Sequence, residues 1–131
     1  MTKSFARPLP LSRFPAKTVI FHENSQSSDV YLIRSGRVEI RKSVEGQSVL
    51  LKTLGAQEVF GEMAVISNKP RSATATAIAD TECYIMNTAE FEERLQSTDP
   101  FLRAIFRILS NTVRETNVEL ASLKKLPKET E

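Results

Sequence analysis

The sequence predicts an α+β fold that is mainly β: an antiparallel β-roll or jelly-roll barrel with one short helix in its second half and lid helices at its C-terminal end. Three observations point there. Between residues 14 and 87, short runs of alternating apolar and polar residues are separated by turn formers, the signature of antiparallel strands. From residue 88 onward the apolar period lengthens from two to between three and four, which marks helices. The chain has 131 residues, enough for one domain with a core of its own.

Residues 1–13 carry Pro8 and Pro10 and are expected to form an irregular or short helical lead-in. Thr18 to His22 reads as a strand, Glu23 to Asp29 as a polar turn, and Asp29 to Ile33 as the next strand. Arg34, Ser35 and Gly36 then form a tight hairpin turn in which glycine supplies a positive φ. In Arg37 to Lys42, Val38 and Ile40 face one side and Arg37, Glu39 and Arg41 the other, so this strand is half buried. A turn at Ser43 to Gly46 leads into a strand from Ser48 to Leu54. Ser72 to Ile78 and Glu82 to Met86 read as a closing pair of strands about a turn at Ala79, Asp80 and Thr81. The roll thus occupies residues 14–87. Asn87 or Thr88 caps a helix with Glu90 in its first turn and Phe91 and Leu95 one turn apart. Asp99 and Pro100 start a second helix, which runs to about Leu126 before Pro127 stops it. The helices therefore cover 88–126, and 127–131 is a tail.

Composition narrows the function classes. Eighteen basic and sixteen acidic residues leave a net charge of +2, too little for the clustered basic face of a duplex-DNA binder. The single Cys83 sits among apolar neighbours and reads as an inert buried thiol. Its solitude and the single His22, read as exposed at a strand edge, leave neither a metal cluster nor a nucleophile pair, so no catalytic role is expected. No apolar run approaches the roughly 18 residues of a membrane span, and no signal core is visible. A cytoplasmic protein is the expectation.

The chemistry concentrates in Phe60 to Ala75, reading FGEMAVISNKPRSATA. Gly61 marks a turn. Glu62 can accept hydrogen bonds from a sugar hydroxyl, and Arg71 offers a planar fork of donors to a phosphate. The amides after Gly61, through Met63 and Ala64, begin a short helix whose unpaired N–H groups favour negative charge. The segment reads as a cradle for a sugar phosphate.

Phe60, Gly61, Glu62, Ala64, Pro70, Arg71, Ser72 and Ala73 together resemble the phosphate-binding cassette of cyclic nucleotide-binding domains. That module is shared by catabolite activator proteins, protein kinase A regulatory subunits and cyclic-nucleotide-gated channels. The run FPAKTVIFHENSQSSDVYLIRSGRVEI is similar to the same family, with Lys17 and Asn24 where relatives often carry glycine; Gln57 is a third such position. The resemblance implies cAMP or cGMP as ligand, with no other cofactor, and favours cAMP. Glu62 would bond the ribose 2′-hydroxyl and Arg71 the exocyclic phosphate oxygens, while Ser72, Ala73 and the amides of Glu62 to Ala64 complete the shell. Thr116 and Asn117 fall where catabolite activators place polar residues against the adenine.

In the last helix Leu102, Phe106, Leu109, Val113, Thr116, Leu120 and Leu123 form a heptad seam with one polar breach at Thr116. Ile105 and Ile108 flank it and could pack on the barrel. Two readings stay open: an amphipathic helix laid on its own domain, or a parallel homodimer through residues 102–123. With only residues 127–131 after the helix, no DNA-reading helix-turn-helix is expected. The expectation is a sensor that signals to a separate effector protein through movement of this helix. The alternative is a nucleotide-insensitive interaction or dimerisation module on the same fold.

Overall fold

The computed structural model describes the backbone of residues 8–67 and 69–124 and, within it, all side chains but those of 114 and 116–124. Its strands are β1 (Leu11–Phe14), β2 (Val19–Phe21), β3 (Asp29–Ser35), β4 (Val38–Val44), β5 (Gln47–Leu54), β6 (Val59–Phe60), β7 (Thr74–Ala77) and β8 (Thr81–Asn87). Helix α1 (Met63–Ile66) follows β6, and α2 (Thr88–Gln96) and α3 (Pro100–Lys124) follow β8. Two four-stranded antiparallel sheets, ordered β1-β8-β3-β6 and β2-β7-β4-β5, face one another as a roll.

Period-two alternation decides what lies between them. Tyr31, Ile33 and Cys83 come inward from the first sheet, and Val38, Ile40, Ala75 and Leu54 from the second, with Phe60 closing the cluster. Val38 and Ile40 are buried as their alternation requires. On β7 the inward positions are alanines, and Ala75 and Ala77 have no exposed surface. Their small side chains leave room for the larger residues opposite.

Several elements differ from the sequence expectation. Leu11–Phe14, whose first three residues belong to the segment read as an irregular lead-in, is a strand paired with β8 in the register Leu11↔Tyr84 to Phe14↔Thr81. A backbone ladder with a distant strand overrides the local signal of Pro8 and Pro10. Residues 1–7 lie outside the described residues. The expected hairpin about Gly36 is instead a corner between sheets, because β3 and β4 belong to different ones. Gly36 does have the positive φ, +111°, and a Cβ there would collide with the Thr81 hydroxyl and backbone. The Arg37 amide donates to that hydroxyl at 3.1 Å, fixing the corner. Similarly, the strands after the cassette do not pair with each other: β7 lies between β2 and β4, and β8 between β1 and β3. The two-residue β6, unforeseen in the sequence, pairs with β3 through Tyr31↔Phe60. The true hairpin is β4–β5, turned by Glu45 and Gly46, both at positive φ.

Asn87 caps α2 as expected, its side chain accepting from the Glu90 amide at 2.8 Å. The Asp99 carboxylate accepts from the Phe101 amide at 2.7 Å where α3 begins. Helix α3 packs against α1. Its inward residues are Phe106, whose ring lies 5.2 Å from that of Phe91, buried Ser110 and half-buried Val113. The heptad seam is therefore split, since Leu102 and Leu109 are more than half exposed. Ile105 and Ile108 do not pack on the barrel either; Ile108 is 64% exposed. Contact with α1 and α2 selects a different face from the one a coiled-coil repeat would choose. The side chains of Thr116, Leu120 and Leu123 lie outside the described residues, as do the end of the expected helix at Leu126 and the tail 127–131. Among the described residues no helix is long and apolar enough to cross a membrane.

Candidate functional site

The segment Phe60 to Ala75 folds as one loop between β6 and β7, with the four-residue helix α1 inside it. Phe60 is buried, its ring stacked on Tyr31 at 4.8 Å and 7°. Phe21 completes an aromatic floor, with centroids 5.8 Å from Tyr31 and 5.9 Å from Phe60. The chain then turns at Gly61, where φ is +77°. A Cβ on Gly61 would stand 3.0 Å from Arg71 Nη1 and 3.0 Å from the Asp29 carbonyl oxygen. Glycine is required here twice over, by conformation and by the guanidinium beside it.

Arg71 is buried, with only 5% of its surface exposed. Its Nη1 donates to the Gly61 carbonyl at 3.2 Å, and its Nη2 to the Ser27 hydroxyl at 2.5 Å and the Asp29 carbonyl at 2.7 Å. The guanidinium carbon lies 4.0 Å over the Phe21 ring, a cation–π contact. Nε is buried without a partner among the described residues. Burial pulls the Arg71 pKa below its ordinary value, and the charges of Tyr31, Asp29 and Glu62 oppose that shift. The Arg71 backbone is tied as well: its amide donates to the Ser25 carbonyl at 2.9 Å, and its carbonyl accepts from the Asn24 amide at 2.7 Å. The loop between β2 and β3 therefore wraps this arginine.

The other expected site residues stand around it. Glu62 precedes α1 in right-handed conformation; its backbone carbonyl accepts from the Val65 amide at 3.1 Å, while its side chain makes no cap and has no hydrogen bond among the described residues. Met63 is half-buried and Ala64 buried. The Ala64 amide, expected among the donors to an anion, is taken by the Gly61 carbonyl at 3.2 Å. Ser72 is exposed and Ala73 buried. Thus Phe60, Gly61, Glu62, Met63, Ala64, Arg71, Ser72 and Ala73 share one loop, whereas the side chains of Thr116 and Asn117 lie outside the described residues.

Five neighbours escaped the sequence reading: Phe21, Glu23, Ser27, Asp29 and Lys42. Ser27 and Asp29 came from a stretch that read only as a polar turn, and nothing in it signals an arginine partner. Lys42 could have been found, because the period of β4 places it on the same face as Val38 and Ile40. Its Nζ donates to the Ser72 carbonyl at 2.9 Å and to Glu23 Oε2 at 3.4 Å. Glu23 Oε1 accepts from the Ser43 amide at 2.9 Å, the main reason its carboxyl titrates below the ordinary value, with Lys42 adding to the effect. Cavities of about 420 Å³ lie elsewhere, one of them lined by Arg13, Phe14, Pro15, Ser35 and Asp80 at the other end of β3.

Among known proteins, the chain is 29% identical over 111 residues to the CRP-like cAMP-activated global transcriptional regulator of Mycobacterium tuberculosis, covering 84% of this chain and 50% of that protein. It is 30% identical over 108 residues to the cyclic AMP receptor protein of Thermus thermophilus, covering 82% of this chain and 50% of that one. The chain thus spans about half the length of these curated relatives. In three dimensions it is similar to the EAL enzyme Bd1971 in its halfsite-occupied form, with a TM-score of 0.77 at 30% identity over 84% of this chain and 99% of that chain. The cAMP-bound and cGMP-bound forms of that enzyme align with TM-scores of 0.67 and 0.68, covering 86% and 88% of this chain and 30% and 31% of theirs. The family model for the cyclic nucleotide-binding domain matches residues 11–98, the whole two-sheet roll with its cassette and α2, and the chain belongs to that family.

Proposed function

We propose that this domain binds a cyclic nucleotide in the loop from Phe60 to Ala73, prefers cAMP to cGMP, and passes binding to a separate effector protein through α3. The observation that carries the reading is the juxtaposition of Glu62, a carboxylate with no described hydrogen-bond partner, and Arg71, a guanidinium preset beneath Gly61 with one N–H unpaired. An acceptor for a ribose hydroxyl and a cation for a phosphodiester then stand on one loop. The cAMP preference draws on the names of the two curated relatives, one cAMP-activated and the other a cyclic AMP receptor. Helix α3 is the output because it packs on α1, inside the cassette, while presenting a bare apolar face outward. A ligand moves it only by favouring one of two positions. The same face supports a homodimer through α3. The domain is assigned no catalysis.

One observation favours the nucleotide-insensitive alternative: the Arg71 guanidinium is already held by Gly61, Ser27 and Asp29, as a structural strut would be. Titration calorimetry with cAMP and cGMP separates the two. The sensor reading expects heat and a raised melting temperature with cAMP, and weaker binding of cGMP. Because Glu62 supports nothing else described, Glu62→Gln should leave the melting temperature of the free domain unchanged. It should weaken cAMP binding by about tenfold or more, since a hydrogen bond to a charged group is worth about 1.5–3 kcal/mol. Silence toward both nucleotides would leave the interaction module.

A further inference from the structure

The alternation of β4 contains one irregularity. Val38 and Ile40 point into the roll, and the next residue on that face is Lys42, a cation where the pattern calls for an apolar side chain. Arg41, on the opposite face, is bound to Glu39 at 2.9 Å and faces away from the cassette. Lys42 is held at the cassette rim, 2.9 Å from the carbonyl of exposed Ser72, with its side chain 38% exposed. Among the described residues its only carboxylate contact is the longer one, 3.4 Å to Glu23, and that carboxylate's other oxygen is already bound by the Ser43 amide. Arg71, by contrast, is sealed beneath Gly61 with both terminal nitrogens committed.

We propose that Lys42 is a further ligand-binding residue, which meets the singly charged phosphodiester of the nucleotide at the mouth of the cassette. This rests on the cyclic-nucleotide reading above. Arg71 meets the phosphate from beneath the loop, and Lys42 adds a second cation at the rim that solvent, and hence an entering anion, reaches first. Its ammonium exchanges the long Glu23 contact for the phosphate, so Glu23 competes with the ligand for Lys42. Because the phosphodiester is common to cAMP and cGMP, the contribution is blind to the base.

The test measures cAMP and cGMP affinity of the full chain at low and high salt for the wild type, Lys42→Met, Lys42→Arg and Glu23→Gln. Lys42→Met is expected to weaken both nucleotides by about tenfold and to flatten the salt dependence of binding. Lys42→Arg should restore most of the affinity and the salt slope. Glu23→Gln, which keeps an acceptor for the Ser43 amide, should bind as tightly as the wild type or tighter. Unchanged affinity in Lys42→Met overturns the proposal, and so does a loss confined to one nucleotide, which would mean contact with the base. Equal weakening by Lys42→Met and Glu23→Gln with the wild-type salt slope would also overturn it, since Lys42 would then be a structural clasp. A wild type that binds neither nucleotide removes the underlying reading and this one with it.

Discussion

Gly61 was legible in the sequence as a turn and Arg71 as a phosphate donor, but not the contact between them. Ten residues separate them, and the structure puts the guanidinium where the glycine lacks a side chain. That packing, and the Ser27 and Asp29 contacts, depend on distant backbone and so leave no local trace. Cys83 was readable as inert from its neighbours, and it is fully buried. Burial pushes its thiol up from 9.0 to about 11, and burial also raises the Tyr31 phenol, with the Asp29 charge adding to it. Both groups hold their protons more firmly in the folded chain than in the unfolded one. For Cys83 the stabilisation is therefore complete below about pH 9 and is lost as pH rises toward 11. Denaturation midpoints should hold steady up to pH 8.5 and then fall, less steeply in Cys83→Ala than in the wild type. Parallel slopes for the two proteins would sink this assignment.

At the scale of elements, the turns carry the main surprise. Lys17 and Gln57, where the family resemblance leads one to expect glycine, both adopt the left-handed conformation, with φ of 77° and 71°. The Lys17 amide reaches the Ala77 carbonyl at 2.6 Å and the Gln57 amide the Ile33 carbonyl at 2.7 Å, so pairing to the sheets holds each turn. The left-handed strain of a non-glycine residue, about 1–2 kcal/mol, exceeds the extra chain entropy of glycine, about 0.5–1 kcal/mol. Gln57→Gly should therefore stabilise the domain by up to about 1 kcal/mol, read as a melting temperature higher by a few degrees. A lower melting temperature would show that the side chain contributes something the turn does not reveal. Strand existence was legible because alternation and turn residues coincide, as in Val38 and Ile40. Strand partnership was not: β7 and β8 are neighbours in sequence yet sit in different sheets, and no local pattern encodes a crossing between layers. The helical period of α3 was equally plain, but its buried face was chosen by Phe91 and α1 rather than by the repeat.

For the whole molecule, the choice between lid and dimer attaches to a specific surface. Leu102, Ile105 and Leu109 fall on one outward stripe of α3, with Phe101 and Ile108 beside it, all exposed. Their three-and-four spacing fits the homodimer proposed through this helix, because a cluster of exposed large apolar side chains at that spacing suits a two-helix seam. Light scattering at tens of micromolar should show a dimer for the wild type and a monomer for Leu109→Glu, with the roll melting unchanged. A wild type that stays monomeric at high micromolar concentration rules the dimer out. The strand β1 has a consequence of another sort, in time. Arg13 meets Glu82 across 69 residues of chain, and the whole β1–β8 ladder spans a similar separation. During synthesis at about 5–20 residues per second, β1 waits roughly 3–14 s before its partner exists. The β4–β5 hairpin, closed by a two-residue turn, can form within microseconds of emerging. The hairpin can therefore form before β1 has a partner, and for those seconds one strand edge of the nascent chain stands open to any other strand it meets.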